Sequence, residues 1–280
     1  MQRIFVGDVQ GCADELEEIL ARARREYGAA FELWCVGDLV NRGPKSHRAL
    51  ALVRELVEAG RAQLVLGNHE LALLARWVGV RPAGPLDSME DLLERPDLDE
   101  WCEWLRRRPL ALAGELAARA FVMVHASAAP HWSRADVLAA AHAVEAQLRT
   151  PDRTALAAAL RQRDDRLGRL VSCRSVLPGG GWSREPPAER AGAEPWHAAW
   201  ARARHDYAVV YGHWSSQGLH VTDQLRGLDT GCVLHGGDRD GFLTAWLPDP
   251  GAADPFALPD DHFWQVPARR AYYRHIDAAG

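Results

Sequence analysis

Five short apolar runs in this chain share one feature: each ends in a turn that carries a side chain able to bind a metal ion. The first three runs lead to Gly7-Asp8, to Gly37-Asp38 and to Gly67-Asn68-His69. The fourth run leads to His125 and the fifth to Gly212-His213. A glycine beside a ligand lets the backbone turn sharply and approach an ion closely. This pattern constrains both the fold and the chemistry.

The first three runs and the segments between them predict a β-α-β-α-β order. Residues 4–6, 33–36 and 63–66 are short and apolar, and amphipathic stretches at 14–25 and 46–59 separate them. Strands joined by helices in this order run parallel, and ligand sites gather at the carboxyl ends of such strands. We therefore expect the polar turns to meet at one edge of a parallel core sheet.

The candidate ligands are two carboxylates, an amide oxygen and two or three imidazoles. A single Gly-Asp after a strand is usually only a turn with an Asx hydrogen bond, but five such turns with compatible ligands indicate a metal centre. The set suits Mn²⁺, Fe²⁺, Co²⁺ or Zn²⁺. Asp38 is the natural bridge, because a carboxylate can hold two cations, and such a pair polarises a phosphoryl group and activates water. The candidate ligands on this basis are Asp8, Asp38, Asn68, His69, His125 and His213.

The composition is that of an ordinary globular protein. The 280 residues are 48% hydrophobic and 25% charged, and the net charge of −5 gives no basic field to attract nucleic acid at long range. We expect one domain over 1–280, with a helical insertion at about 79–109 and a helical cap or loop region at about 133–204. Further predicted elements are strands at 110–116, 120–124, 207–211 and 263–266, one helical pattern over 133–167, a helix at 194–204 and a hairpin around 236–241.

The cysteines and the apolar runs restrict the class of protein further. The five cysteines are odd in number, scattered and without a C-x-x-C pair, which predicts reduced core residues rather than disulfides or a zinc-thiolate site. No apolar run is long enough to span a membrane, and a strand follows the N-terminus with no signal-peptide pattern before it. We predict a cytoplasmic protein that binds neither membranes nor, stably, nucleic acid.

The turn motifs resemble the signature of the calcineurin-like metallophosphoesterases, in particular the serine/threonine-phosphatase branch. Within that branch the chain is similar to the bacterial hydrolases that cleave diadenosine tetraphosphate symmetrically, and the similarity spans nearly the whole chain. The resemblance implies an α/β fold of two packed mixed β-sheets flanked by helices, a four-layer αββα sandwich. The motifs are Gly7-Asp8-Val9-Gln10-Gly11, Gly37-Asp38-Leu39-Val40-Asn41-Arg42-Gly43, Gly67-Asn68-His69-Glu70, His125, Gly212-His213-Trp214, Leu228-Asp229-Thr230-Gly231-Cys232 and Gln265-Val266-Pro267.

The resemblance also implies a role for each matching residue. Asp8 would bind the first of two divalent metal ions, expected to be Mn²⁺, and Asp38 would bridge both. The second ion would be bound by Asn68, His125 and His213. Two further residues would act on the substrate, which a hydroxide held at the metal pair would attack in line. His69 would protonate the leaving oxygen, and Arg42 would bind the attacked phosphate.

Two positions depart from the family pattern. Gln10 stands where most members have a histidine on the first metal, and its amide oxygen would be a weaker ligand than imidazole. Asn41 stands where the protein phosphatases have an aspartate that orients the catalytic histidine. Asn41 could accept a hydrogen bond from His69 but would not stabilise its positive charge as a carboxylate would. This second departure fits the dinucleotide hydrolases better than the protein phosphatases.

The sequence leaves the substrate contacts open. Besides Arg42 and Asn41, we expect a second arginine on the phosphates, either Arg169 or Arg174, with a solvated surface arginine as the competing interpretation. Trp214 and Trp182 are candidates to stack on a base, although most tryptophans in such a chain pack in the core.

Three functions follow from these observations. The first is hydrolysis of a dinucleoside polyphosphate, diadenosine tetraphosphate, to two molecules of ADP by a monomer or homodimer. The second is a related phosphatase acting on phosphoproteins, RNA 5′ ends or phosphomonoesters. The third is a dinucleotide-binding regulatory protein with weak catalysis, which Gln10 keeps open.

Overall fold

The computed structural model describes residues 1–162, 164–236 and 238–272. Strands and helices alternate in the first half of the chain, and short strands dominate the last third. The helices are α1 (Ala13–Tyr27), α2 (Ser46–Glu58), α3 (Asn68–Trp77), α4 (Glu90–Leu93), α5 (Leu98–Leu105), α6 (Arg134–Leu148), α7 (Arg153–Arg161), α8 (Asp165–Ser172) and α9 (Trp196–Arg202). The strands are β1 (Gln2–Val6), β2 (Phe31–Cys35), β3 (Ala62–Leu64), β4 (Ala111–Leu116), β5 (Arg119–Val124), β6 (Ser175–Val176), β7 (Trp182–Ser183), β8 (Glu194–Pro195), β9 (Ala208–Tyr211), β10 (His220–Val221), β11 (Leu225–Gly227), β12 (Phe242–Trp246) and β13 (Phe263–Pro267).

Two five-stranded mixed sheets form the core. The first has the order β13-β12-β1-β2-β3, with β1, β2 and β3 parallel to one another and β12 antiparallel to β1. The second has the order β10-β11-β9-β5-β4, with β5, β9 and β11 parallel. The predicted β-α-β-α-β order and its parallel sheet are confirmed, and so is the predicted fold class of two mixed sheets flanked by helices.

The alternation of side chains along each strand explains how the layers pack. In β1, Ile4 and Val6 belong to the large apolar cluster that includes the inner faces of the helices, while Phe5 lies in a separate cluster between the two sheets. The Phe5 ring lies 5.5 Å from those of Trp34 in the first sheet and Phe121 in the second. Successive side chains of a strand point to opposite faces, so each strand contributes to both layers.

The region between 133 and 204 is more divided than predicted. The helical pattern expected over 133–167 is present, divided among α6, α7 and the start of α8. Pro151 follows α6, and the side chain of Asp152 caps α7 by accepting a hydrogen bond from the N–H of Thr154 (2.8 Å). Asp164 caps α8 in the same way. A small sheet of β7, β6 and β8 also lies here. It was not predicted, because strands of two residues carry no measurable periodicity.

The other predicted elements differ from the structure in detail. Helices α4 and α5 lie within the segment predicted as an insertion. The hairpin expected around 236–241 is reduced to one bridge between Gly236 and Arg239, and position 237 lies outside the described residues. Among the described residues, none of the helices combines the length and the apolar character needed to cross a bilayer.

Candidate metal centre

The predicted ligands converge where the two sheets bring their strand ends together. Carboxylate, imidazole and amide groups from five separate turns meet there. A side-chain oxygen of Asp38 and ring nitrogens of His125 and His213 all lie within 4.8 Å of one another. Asp8 reaches the same place, because its carboxylate accepts a hydrogen bond from the N–H of His213 (3.1 Å). The structure thus brings together residues up to 205 positions apart in the sequence.

Glycines make this close approach possible. A Cβ atom on Gly212 would lie 2.0 Å from an Asp8 carboxylate oxygen, and one on Gly67 would lie 2.1 Å from an Asp38 carboxylate oxygen. Real side chains do not tolerate such distances. Any larger residue at either position would push a carboxylate out of the centre.

The backbone is strained at the same place. Seven non-glycine residues in the described part of the chain have a positive φ, and five of them are residues predicted from the sequence to form the site. Such conformations cost free energy and persist where the surrounding structure over-determines them, which is typical of functional sites. The five are Gln10, Asp38, Asn41, Arg42 and His213.

The two histidines present lone pairs to a common point. Nδ1 of His125 lies 2.8 Å from the carbonyl oxygen of Val36, and Nε2 of His213 lies 3.1 Å from that of Ser172. A carbonyl only accepts, so these nitrogens carry the protons of the neutral rings. The opposite nitrogens face the side-chain oxygen of Asn68, at 3.0 and 2.8 Å. Lone pairs that face one another in this way, with each ring anchored by its other N–H, fit a metal ion.

Electrostatics support the same fit. Burial raises the pKa of Asp8 well above its usual value, and the nearby charges of Asp229 and Asp38 raise it further. Burial also raises the pKa of Asp229 to about 6. Burial opposes ionisation of Asp38, but His125 and His69 outweigh it and lower its pKa. Three carboxyl groups buried this close together can all be ionised only if cations neutralise their charge.

The pKa values of His213 and His125 are shifted in opposite directions. Burial lowers the pKa of His213 well below its usual value, and the charges of Arg174 and His125 lower it further. Burial also acts to lower the pKa of His125, but the charge and hydrogen bond of Asp38 outweigh it and raise the pKa. The charge of Asp38 thus favours positive charge at His125, beside the place that a cation would occupy, and burial favours the neutral form of His213 that a metal ligand requires.

Glu70 ties two of the ligand turns together, and the sequence analysis assigned it no role. One carboxylate oxygen accepts hydrogen bonds from the N–H groups of Asp38 and Gly67, both at 2.8 Å. The other accepts from Leu39 (2.7 Å) and Val40 (3.3 Å). Glu70 is fully buried, so these bonds fix the turns after β2 and β3 relative to each other. Its position directly after Asn68-His69 was the available signal.

The remaining predicted residues lie at different distances from the centre. The Gln10 side chain reaches the edge of the centre, where its Nε2 atom donates to the Asp38 carboxylate (3.4 Å). His69 Nε2 lies 3.7 Å from the Asp38 carboxylate. Arg42 is partly exposed beside the centre, and its guanidinium donates to the carbonyl oxygen of Leu86 (3.2 Å). Asn41 contacts His69 at 2.8 Å.

The two candidate arginines occupy different environments. Arg174 donates to the carbonyl oxygen of His213 (3.2 Å), next to the centre. Arg169 is 7% exposed and pairs instead with Asp165 (2.7 Å) and with the carbonyl oxygen of Gly180 (2.8 Å). The position of Arg174 favours it over Arg169 as the second phosphate contact.

The two tryptophans offer little free surface for a base. Trp214 is 8% exposed and its ring lies 5.7 Å from that of His197. Trp182 packs on Gly168 and donates from Nε1 to Asp165 (2.8 Å). Base stacking by either residue stays a prediction that this packing does not favour.

The buried cysteines are all free, as predicted. The fold nevertheless brings two of them together, although no C-x-x-C spacing announces it. The thiols of Cys12 and Cys232 and the carboxylate of Glu15 lie within 4.8 Å of one another, all buried. The first turn of α1 and the segment before β12 meet there, behind the loop that carries Asp8.

Comparisons of the sequence with known proteins found a matching family and named relatives. The model of the family described as calcineurin-like phosphoesterase matches residues 1–237. The symmetrical bis(5′-nucleosyl)-tetraphosphatase of Ralstonia nicotianae is 39% identical over 250 residues, which cover 82% of this chain and 85% of that protein. The protein of the same name from Vibrio cholerae is 35% identical over 276 residues, covering 89% of this chain and 100% of that protein.

A solved structure agrees at the level of the fold. A crystal structure provisionally assigned as a diadenosine tetraphosphatase superposes with a TM-score of 0.62 at 24% identity. The superposition covers 95% of this chain and 93% of that one. At this identity the likeness supports the fold and nothing finer.

Proposed function

This chain belongs to the calcineurin-like phosphoesterase family, and we propose that it hydrolyses diadenosine tetraphosphate symmetrically to two molecules of ADP. Its relatives carry the name of that activity over more than four-fifths of this chain. The observation that carries the proposal is the convergence of five strand-end turns on one buried cluster of carboxylates and imidazole lone pairs.

The residues present fit two divalent metal ions. Asp8 and Gln10 would hold the first ion and Asp38 would contact both. The second ion would be held by Asn68, His125 and His213. When bound, such ions polarise a phosphoryl group and lower the pKa of water. Carboxylate, amide and imidazole donors favour Mn²⁺, with Co²⁺, Fe²⁺ or Zn²⁺ as alternatives.

The chain's own residues position the substrate. Arg42 binds the phosphate that is attacked, and Arg174 holds a neighbouring phosphate, because a guanidinium matches phosphate oxygens with paired donors. His69 presents a hydrogen to the departing oxygen. Attack at either of the two inner phosphates, with cleavage of its bond to the central bridging oxygen, leaves two phosphates on each half, so both products are ADP.

Product analysis tests this proposal. The purified enzyme is incubated with diadenosine tetraphosphate and Mn²⁺, and the nucleotides are separated and identified. ADP as the sole product supports the proposal, whereas ATP with AMP contradicts symmetrical attack. The Asp38→Asn variant serves as the control for contaminating hydrolases, since it should release no product above the blank.

A substrate panel separates the other members of the family. The same enzyme is assayed on a phosphopeptide, a triphosphorylated RNA 5′ end and a simple phosphomonoester, with Mn²⁺, Co²⁺, Mg²⁺ and Zn²⁺ in turn. We expect the highest kcat/KM on the dinucleotide. Higher kcat/KM on another substrate would contradict the proposal, and tight dinucleotide binding with negligible turnover at saturating Mn²⁺ would indicate a regulatory protein.

We propose, further, that the enzyme works in the cytoplasm as a monomer or homodimer. The five free buried cysteines support a reducing compartment. Light scattering coupled to gel filtration measures the mass directly. A stable mass above twice 31.0 kDa would contradict the second part.

A further inference from the structure

The side-chain amide of Asn41 is held in one orientation. Its Oδ1 atom accepts hydrogen bonds from the backbone N–H groups of Arg42 (2.8 Å) and Ser88 (2.9 Å). Its Nδ2 atom lies 2.9 Å from a carboxylate oxygen of Asp87 and 2.8 Å from Nδ1 of His69. A backbone N–H only donates and an ionised carboxylate only accepts, so both ends of the amide are fixed independently. The expectation that Asn41 accepts a hydrogen bond from His69 is therefore wrong: Asn41 donates.

This orientation determines which nitrogen of His69 carries the proton. Because Asn41 donates to Nδ1, that nitrogen is unprotonated, and the hydrogen of the neutral ring lies on Nε2. Nε2 is the nitrogen that faces the centre, 3.7 Å from the Asp38 carboxylate. A doubly protonated ring would set its Nδ1–H against the N–H of Asn41. The contact thus favours a neutral ring with its hydrogen aimed at the reacting groups.

Asp87 completes the network from a distant part of the chain. It lies in the segment between α3 and α4, and its side chain is 1% exposed. Its second carboxylate oxygen accepts from the N–H of Gly84 (2.8 Å) and faces the guanidinium of Arg81 (3.3 Å). These contacts leave the first oxygen aimed at Asn41. The protein phosphatases have a carboxylate beside the catalytic histidine. Here the carboxylate is that of Asp87, and the side chain of Asn41 lies between it and His69.

We propose that Asp87 and Asn41 are positioning residues that hold the His69 ring with Nδ1 as a hydrogen-bond acceptor and the Nε2 hydrogen facing the centre, and that they thereby restrict the enzyme to leaving groups of low basicity. This inference rests on the proposed function. An alkoxide leaving group is strongly basic and requires transfer of a full proton, which neutral imidazole does not supply at ordinary pH. A departing nucleoside diphosphate is stable as an anion and needs only a hydrogen bond.

Hydrolysis of the anhydride consumes one water molecule. Water adds its hydroxyl oxygen to the attacked phosphorus and releases a proton to solvent. The bond from that phosphorus to the bridging oxygen breaks, and its electron pair leaves with the departing ADP. Nε2 of His69 keeps its hydrogen throughout and donates a hydrogen bond to the departing oxygen, which stabilises charge as it develops.

Nitrogen-15 spectra of the imidazole rings test the tautomer without any substrate. Spectra of the wild type and of His69→Asn, with and without Zn²⁺, identify the His69 signals. We expect a protonated Nε2 and an unprotonated Nδ1 in the wild type. We expect a protonated Nδ1 in the Asn41→Asp enzyme, which also carries Asp87→Asn so that the new carboxylate faces an amide and accepts from the ring. Asp87→Ala should give a mixture of ring forms. Asp91→Ala is the matched control, because Asp91 lies nearby in α4 and its carboxylate accepts from the N–H of His47 (2.8 Å) rather than from Asn41.

Kinetics on two leaving groups provide the second readout. Asp87→Ala should lower kcat on diadenosine tetraphosphate by about tenfold or more, as second-layer substitutions at catalytic histidines do, while KM changes less than about twofold. Asn41→Asp should raise the ratio of kcat on an alkyl phosphomonoester to kcat on the dinucleotide by roughly tenfold or more, because the ring can then donate a proton. Asp91→Ala should change neither quantity.

Two results would overturn the inference. One is a wild-type His69 protonated at Nδ1; the other is an unchanged leaving-group ratio in a folded Asn41→Asp enzyme. Failure of the proposed function is recognised separately, because it would appear as ATP and AMP among the wild-type products while the ring spectra are independent of substrate.

Discussion

The metal centre and the hydrogen-bond network behind His69 are built from different kinds of sequence. Each ligand of the centre follows a buried strand directly or within a few residues, as Asp8 follows β1 and His125 follows β5. The network instead joins Asn41 to Asp87, 46 positions away, through a segment with little regular structure. The edge of a sheet determines where the ligands of the metal centre lie. Only tertiary packing determines where the residues of the hydrogen-bond network lie.

Substitution of Glu70 should break the centre more severely than any change in the network. Glu70→Ala leaves up to four buried N–H groups without an acceptor, so we expect a loss of about 3 kcal/mol or more in the free energy of unfolding. Urea titration measures it. Glu17→Ala removes a carboxylate from an exposed pair with Arg48 and serves as the control, with no comparable loss. Equal stability of the two variants would show that Glu70 does not join the turns.

Replacing His69 sharpens the comparison, because this residue belongs to both regions. His69→Asn should lower kcat by roughly a hundredfold, while KM stays within about threefold, since the ring acts on the departing oxygen rather than in binding. Steady-state kinetics on the dinucleotide measure both constants. Weaker binding with unchanged turnover would assign His69 to substrate binding instead.

A smaller effect is expected at the second arginine. Arg174→Ala should raise KM by about tenfold, because one charge-assisted contact to phosphate is lost. Arg169→Ala is the matched control: its guanidinium is engaged with Asp165 and Gly180, so thermal stability should fall while KM stays unchanged. The reverse pattern would show that Arg169 is the phosphate contact.

The smallest expected effect is a dependence of metal stabilisation on pH. Burial raises the pKa of Asp229 from 3.8 to about 6 and also raises that of Asp8. The folded metal-free protein therefore holds protons that the unfolded chain has lost, and its stability falls as pH rises through this window. Metal ions displace those protons, so the gain in Tm on adding Mn²⁺ should grow with pH. Asp229→Asn should flatten this dependence. A gain in Tm that is independent of pH in the wild type would contradict the inference that metal ions displace protons from these carboxyl groups.

The contrast also explains what the sequence could predict. The parallel order of β1, β2 and β3 followed from apolar runs and helical spacing, and the glycine-flanked turns marked the ligands. The division between α6 and α7 was signalled by Pro151 and Asp152 but was outweighed by the continuous Ala- and Leu-rich pattern. The direction of the Asn41 hydrogen bond depends on Asp87 and Ser88, and no local pattern links those residues to it.

Anomalous diffraction from crystals of the wild-type enzyme grown with Mn²⁺ tests the central claim most directly. The account predicts two ions about 4 Å apart, with carboxylate oxygens of Asp38 in contact with both and with His125 and His213 on the same ion. A single ion at full occupancy, or a pair that Asp38 does not touch, would contradict it.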